Sequence, residues 1–239
     1  SDPIPGPGNG QTLLSPAQRD TAWNRLGAEQ FDVIVIGGGV VGAGAALDAA
    51  TRGLKVALVE ARDFASGTSS RSSKMFHGGL RYLEQLEFGL VREALYEREL
   101  SLTTLAPHLV KPLPFLFPLT KRIWERPYIA AGIFLYDQLG GAKSVPPQKH
   151  LLKAGALRLA PGLKRSSLIG AIRYYDTVVD DARHTMTVAR TAAHYGAVVR
   201  TSTQVVALLR EGDRVTGVRV RDSETGAVTE VCGHVVVNV

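Results

Sequence analysis

The stretch from Phe31 to Gly42, FDVIVIGGGVVG, constrains the fold more than any other. Phe31 to Ile36 is a compact apolar run rich in β-branched residues, which reads as a strand buried in a parallel sheet. Gly37, Gly39 and Gly42 follow at once in G-x-G-x-x-G spacing, and a helix is predicted from about Val40 to Arg52. Each glycine has its own physical reason. One permits a tight turn, one lets a pyrophosphate approach the backbone, and one lets helix and strand pack closely. Phosphate charge would then sit on the helix N-terminus, where the peptide N–H groups point outward. Gly53 stops the helix, and Lys55 to Glu60 (KVALVE) is a second buried strand ending in an acid, so the unit is βαβ.

Glu60 stands 18 residues beyond Gly42, at the position from which a carboxylate accepts hydrogen bonds from the ribose hydroxyls of adenosine. An acid there disfavours the 2′-phosphate of NADP and leaves NAD and FAD undivided. The next loop, Ser66-Gly67-Thr68-Ser69-Ser70-Arg71-Ser72-Ser73-Lys74, offers hydroxyl and amide donors plus two cations where an NAD enzyme would continue into a simple crossover helix. Such a loop suits the far side of a pyrophosphate and its ribitol. A serine linker is the plainer alternative, and the block His77-Gly78-Gly79-Leu80-Arg81-Tyr82-Leu83-Glu84 that follows argues against it.

Before this unit, Ser15-Pro16 opens a short helix that runs to about Leu26. After it, Val91, Ala94, Leu95, Leu102 and Leu105 share one helical face and predict a helix from about Glu87 to Leu105. Eight prolines between Pro107 and Pro161 then suggest an irregular or separately folded insertion. Asp180-Asp181 begins another helix that ends at Gly196. Strands are predicted at 197–201, 204–210, 214–222 and 227–232, and Gly233 to Val239 resumes the apolar pattern of the first sheet. A single cysteine, Cys232, allows neither an intrachain disulfide nor a cysteine-built zinc site, so no metal is expected. The net charge of +6 is uneven: residues 107–150 hold six Lys/Arg against two Asp/Glu. Charge alone, with no recognised module, gives no ground for nucleic-acid binding.

FDVIVIGGGVVGAG, the strand end at Glu60, GTSSRSSKMFHGGLRYLE, LAPHL and YYDTVVDDAR resemble the FAD-dependent, quinone-linked glycerol-3-phosphate dehydrogenases, in order and spacing, from about Phe31 to Val239. Val41 departs from the Asn common there; the backbone does the phosphate work, so little should follow. The resemblance implies an α/β fold: a Rossmann-like FAD-binding domain of the glutathione-reductase type, with a βαβ start and added antiparallel strands, interrupted by part of a substrate domain. The boundaries it suggests are an arm and short helix over 1–30, FAD-binding segments at 31–107 and 180–239, and an inserted substrate segment at 108–179.

The resemblance also implies roles. Gly37, Gly38, Gly39, Val40, Val41, Gly42, Glu60 and Ala61 would hold the ADP half of non-covalent FAD. Thr68, Ser69, Ser73 and Lys74 would line the pyrophosphate and flavin side, while His77, Gly78, Gly79 and Leu80 would pass close to the isoalloxazine. Val205 would meet adenine by its main chain. Arg81, assisted by Tyr82, would clasp the phosphate of sn-glycerol 3-phosphate, a guanidinium matching a dianion in charge and forked shape; an ion pair with Glu84 is the plainer role. His77 is either a proton acceptor or a structural donor to the cofactor. Quinone as electron acceptor, a homodimer at full length, and a cytoplasmic, membrane-peripheral location complete the picture. The apolar and basic mix of 107–150 fits either an anionic bilayer or a substrate-domain core.

Two other readings remain open: a flavoprotein of the same fold acting on an amino or hydroxy acid, and a non-catalytic nucleotide-binding fragment. Ser1 in place of Met, and a last strand that reads as cut in mid-course, lead us to expect the N-terminal part of a longer enzyme. Such a part should bind FAD weakly and turn over little substrate, because further phosphate-binding cations and the main catalytic base would lie elsewhere.

Overall fold

The structure, a computed structural model, describes residues 14–76, 87–120, 125–139 and 145–239. The chain packs as two compact units. One comprises Ser1–Ser72 and Asp181–Val239, the other Ser73–Asp180. The passages between them fall at Ser72–Ser73 and Asp180–Asp181, whereas the sequence suggests 107/108 and 179/180. The short strand Met75–Phe76 and the helix Phe88–Leu100 pack with the second unit and draw the first passage forward.

The first unit is built on α1 (Pro16–Ala28), β1 (Gln30–Ile36), α2 (Val40–Thr51) and β2 (Val56–Val59). Ser15 caps α1 in a reciprocal capping box with Gln18, with Pro16 at the first helical position. β1 pairs in parallel with β2, and β2 with β7 (Val198–Arg200). The sheet is completed by β8 (Thr203–Glu211), β9 (Arg214–Asp222) and β10 (Val228–Asn238), in the order β7-β2-β1-β10-β9-β8. β10 changes partners along its length. Val228 to Cys232 run antiparallel to β9, while Cys232 to Asn238 run parallel to β1. The two strands predicted at 227–232 and 233–239 are thus one, and it returns to the first sheet as the apolar pattern required.

Period-two alternation sorts β2 onto two cores. Val56 and Leu58 face α2 and the long helix that precedes β7, while Ala57 and Val59 pack with Ile34, Val218, Val220, Val231 and Leu26 of α1. The buried face of α2 consists of Gly42, Ala43, Ala46, Ala49 and Ala50, small side chains at helical spacing that let the helix lie close to the sheet.

The second unit carries β3 (Met75–Phe76), α3 (Phe88–Leu100) continued by a wider turn at Ser101–Leu105, β4 (Val110–Leu119), α4 (Glu125–Leu139), β5 (Lys149–Leu152), α5 (Lys153–Leu159) and β6 (Gly170–Val179). Val91 and Leu95 are buried on α3 and Leu102 packs beyond it, but Leu105 is exposed, because the wider turn rotates it off the apolar face. The proline-rich stretch is more regular than the sequence suggested. β4 is a ten-residue strand paired antiparallel with β6 throughout. Its prolines at 112, 114 and 118 share one parity, so every missing N–H falls on the edge of the strand turned away from β6. Arg98 of α3 is buried against Asp176 of β6, Nη1 to Oδ1 3.2 Å, tying that helix to the sheet. Asp181, the last of the three acids in YYDTVVDDAR, opens α6 (Asp181–His194) in the first unit and accepts a hydrogen bond from Ser72 Oγ.

Candidate functional site

At the end of β1 the chain turns through Gly37 at φ +116°, a conformation open to glycine, and a side chain there would sit 2.6 Å from Val239 O. Gly42 serves the third role foreseen for it: a Cβ would lie 1.9 Å from Gly37 O, so helix and turn meet backbone to backbone. Gly39 is different. Among the described residues a Cβ on it would meet only Ser69 Oγ, at 3.5 Å, and Gly39 lines a cavity of about 490 Å³.

That cavity is lined by Gly37, Gly39, Val40, Val41, Gly42, Glu60, Ala61, Thr68 and Ser69, all expected from sequence, and by Arg62, Ser66, Gly67 and Val239, which were not. Ser66 and Gly67 belong to the hydroxyl-rich loop and could have been included with it. Arg62 flanks the acid, and Val239 arrives through β10, a long-range pairing that local sequence does not announce. All of these residues belong to the first unit.

The donor set suits a nucleotide phosphate. The N-cap residue of α2, Gly39, offers no side-chain cap, and the first turn of the helix carries no acid, so its terminal N–H groups are met from outside the helix. Val40 N–H donates to Ser69 Oγ at 3.0 Å, a neutral oxygen held where a phosphate oxygen would be welcome. Glu60 reaches back over the turn: its Oε2 accepts from Gly38 N–H and its Oε1 from Arg62 N–H, both at 2.7 Å. Each carboxylate oxygen keeps a second lone pair for a ribose hydroxyl.

Gly38 contributes this N–H rather than a lining surface. Val205 packs against the core and pairs with Val220 of β9; it does not line the cavity. Ser73 and Lys74 belong to the second unit, where Lys74, at φ +58°, accepts from Val179 N–H through its carbonyl. His77, Gly78, Gly79, Leu80, Arg81 and Tyr82 lie outside the described residues.

A larger cavity of about 540 Å³ opens beside α1. Its cations are committed to neighbours: Arg19 to Glu224 at 2.8 Å, Arg25 to Glu29 at 2.6 Å and Arg200 to Asp222 at 2.7 Å. The glycine turn, where the Val40 N–H is held only by a neutral hydroxyl, is the better site for an anion.

A family description, FAD dependent oxidoreductase, matches residues 32–239. The chain belongs to the FAD dependent oxidoreductase family. Its cofactor is therefore FAD, and the uncapped helix terminus, the space in front of Gly39 and the Glu60 carboxylate fit the nucleotide half of that molecule. Known proteins resemble the chain over most or all of its length. "Glycerol-3-phosphate dehydrogenase 2" of Mycobacterium tuberculosis (strain ATCC 25618 / H37Rv) is 86% identical over 100% of the chain and 41% of its own length. Among solved structures, the glycerol-3-phosphate dehydrogenase from Bacillus halodurans complexed with FAD matches with a TM-score of 0.69 and 32% identity, over 92% of this chain and 36% of that one. The L-proline dehydrogenase from P. horikoshii matches with a TM-score of 0.64 and 25% identity, over 88% and 53%. The chain thus spans about two fifths of the length of the mycobacterial relative. The α/β fold read from the sequence, a mixed sheet begun by a βαβ unit, is the fold of this FAD dependent oxidoreductase.

Proposed function

We propose that the protein oxidises sn-glycerol 3-phosphate to dihydroxyacetone phosphate and passes the electrons to a quinone. The observation that carries this reading is the 86% identity along the whole chain to mycobacterial proteins named glycerol-3-phosphate dehydrogenase. FAD, when bound, supplies the acceptor for the hydride from C2 of the substrate.

The chain's own residues hold and orient. Gly39, the Val40 N–H, Ser69 and Thr68 receive the pyrophosphate, while Glu60 accepts from the adenosine ribose, with Ala61 and the main chain of Val205 beside the adenine. Ser73, Lys74, His77, Gly78, Gly79 and Leu80 serve the flavin end. Arg81, with Tyr82, fixes the phosphate dianion of the substrate and so the direction of its C2–H bond. His77 stands as acceptor for the hydroxyl proton or as a hydrogen-bond donor to the cofactor.

Contact with a cytoplasmic membrane surface, which quinone reduction needs, is supported by α4, where Tyr128, Phe134 and Leu135 are exposed. Among the described residues no helix is long and apolar enough to cross a membrane. A homodimer and a peripheral location belong to the same proposal. Because relatives are far longer than 239 residues, we expect the chain alone to turn over little substrate.

Anaerobic addition of glycerol 3-phosphate to the flavin-loaded whole protein tests the reading. Loss of the visible flavin band, with L-proline and glycine leaving it unchanged, supports it. Bleaching by an amino acid and not by glycerol 3-phosphate would transfer the assignment to an amino-acid dehydrogenase or oxidase.

A further inference from the structure

Glu60 is held by its main chain as well as by its carboxylate. Its N–H donates to Arg200 O at 3.0 Å, and its carbonyl accepts from Thr203 N–H at 2.8 Å. Between these two bonds the chain turns a corner at Thr201–Ser202. Ser202 sits at φ +48° and gives its N–H to Arg62 O at 2.8 Å. A serine has little intrinsic reason to adopt that conformation, so the corner must be fixed from outside.

The Arg200 side chain folds back over its own corner. Nη1 donates to Thr203 Oγ1 at 2.7 Å, Nη2 to Asp222 Oδ2 at 2.7 Å and Nε to Arg19 O at 3.3 Å. The guanidinium lies 4.7 Å from the centre of the Trp23 ring. Thr203 Oγ1–H in turn donates a hydrogen bond to Thr201 O at 2.9 Å, closing the loop across the turn. Arg200 and Asp222 are 4% exposed and Thr203 1%. A buried ion pair is a poor device for stability alone, since apolar residues of similar volume often do as well. What it supplies is a fixed direction, and here the direction is that of the corner bracketing Glu60.

We infer that Arg200, acting with Thr203 and Asp222, is a positioning residue for the cofactor: it fixes the 200–203 corner and so aims the Glu60 carboxylate at the adenosine ribose. The inference rests on the proposed role of Glu60 toward that ribose.

Calorimetric titration of the full chain with ADP and with 2′,3′-dideoxy-ADP reads the ribose contact separately from the phosphates. Wild type should prefer ADP by about tenfold, the size of a hydrogen bond to a charged group, and Glu60→Gln should lose that preference. Thr203→Val, and the double variant Arg200→Met with Asp222→Leu, should fall to about twofold while keeping their affinity for the dideoxy nucleotide. Thr203→Ser, which retains the oxygen, should keep the preference. Should the double variant fail to fold, Thr203→Val decides. Folded variants that keep the full preference would overturn the inference and leave the reading of Glu60 intact. A wild type that binds both nucleotides equally would overturn both.

Discussion

Glu60 and Gly38 are joined across the nucleotide turn, Gly38 N–H donating to Glu60 Oε2 at 2.7 Å. The acid at the end of β2 thus shapes the glycine turn at the end of β1, besides facing the cavity beyond it. Replacing it separates the two effects. Glu60→Ala leaves the Gly38 and Arg62 N–H groups without their carboxylate and should cost about 1–3 kcal/mol of stability. It should also weaken FAD binding at least about tenfold. Thermal unfolding and FAD titration of the same preparation check both.

Two glycines of α2 should respond oppositely to alanine. At Gly42 the new Cβ would lie 1.9 Å from Gly37 O, whereas at Gly44 it would meet nothing within 4 Å among the described residues. Gly42→Ala should therefore destabilise by about 3 kcal/mol or more through overpacking, and FAD binding should be lost with it. Gly44→Ala should gain roughly 0.5–1 kcal/mol from helix propensity. Chemical denaturation midpoints distinguish them.

The βαβ unit was legible because its signals are local: an unbroken β-branched run, three spaced glycines, an acid closing the next strand. β4 was obscured for a local reason too, since Pro112, Pro114 and Pro118 read as breaks until their shared parity turns their missing N–H groups away from β6. Val239 escaped because its place in the cavity depends on a pairing far along the chain, whereas Arg62 lies two residues beyond Glu60 and carries no motif of its own. The same holds for the Arg200 corner, which draws on Trp23, Thr203 and Asp222 from three different elements. The hydroxyl loop was legible in composition but not in its partner, for no spacing rule sends Ser69 Oγ to Val40 N–H.

Acid should weaken the first unit through Asp222. Burial by itself would raise its carboxyl, but the Glu224 N–H and the Arg200 guanidinium outweigh that and hold it down at about 2. A carboxyl depressed in the folded state contributes stability at pH above its unfolded value, near 4, and loses it as pH falls toward 2. The loss should approach roughly 2 kcal/mol over that window. Urea denaturation at successive pH values tests it; in Asp222→Asn this acid-dependent increment should vanish.

Arg81→Met in the whole protein should raise KM for glycerol 3-phosphate by about 100-fold or more, as expected for a lost charge-assisted contact. The flavin spectrum of the oxidised protein should be unchanged. Steady-state kinetics with an artificial electron acceptor read the first, and absorbance the second. An unchanged KM would return Arg81 to the plainer role of partner to Glu84.

The central claim is that the space in front of Gly39 receives the FAD nucleotide, and filling that space tests it most directly. Titrating wild type and Gly39→Leu with FAD should give saturable binding to one site in the first. The second should stay folded and show no binding, because a bulky side chain is added to a residue that lines the cavity. FAD binding of equal strength to both would contradict the account.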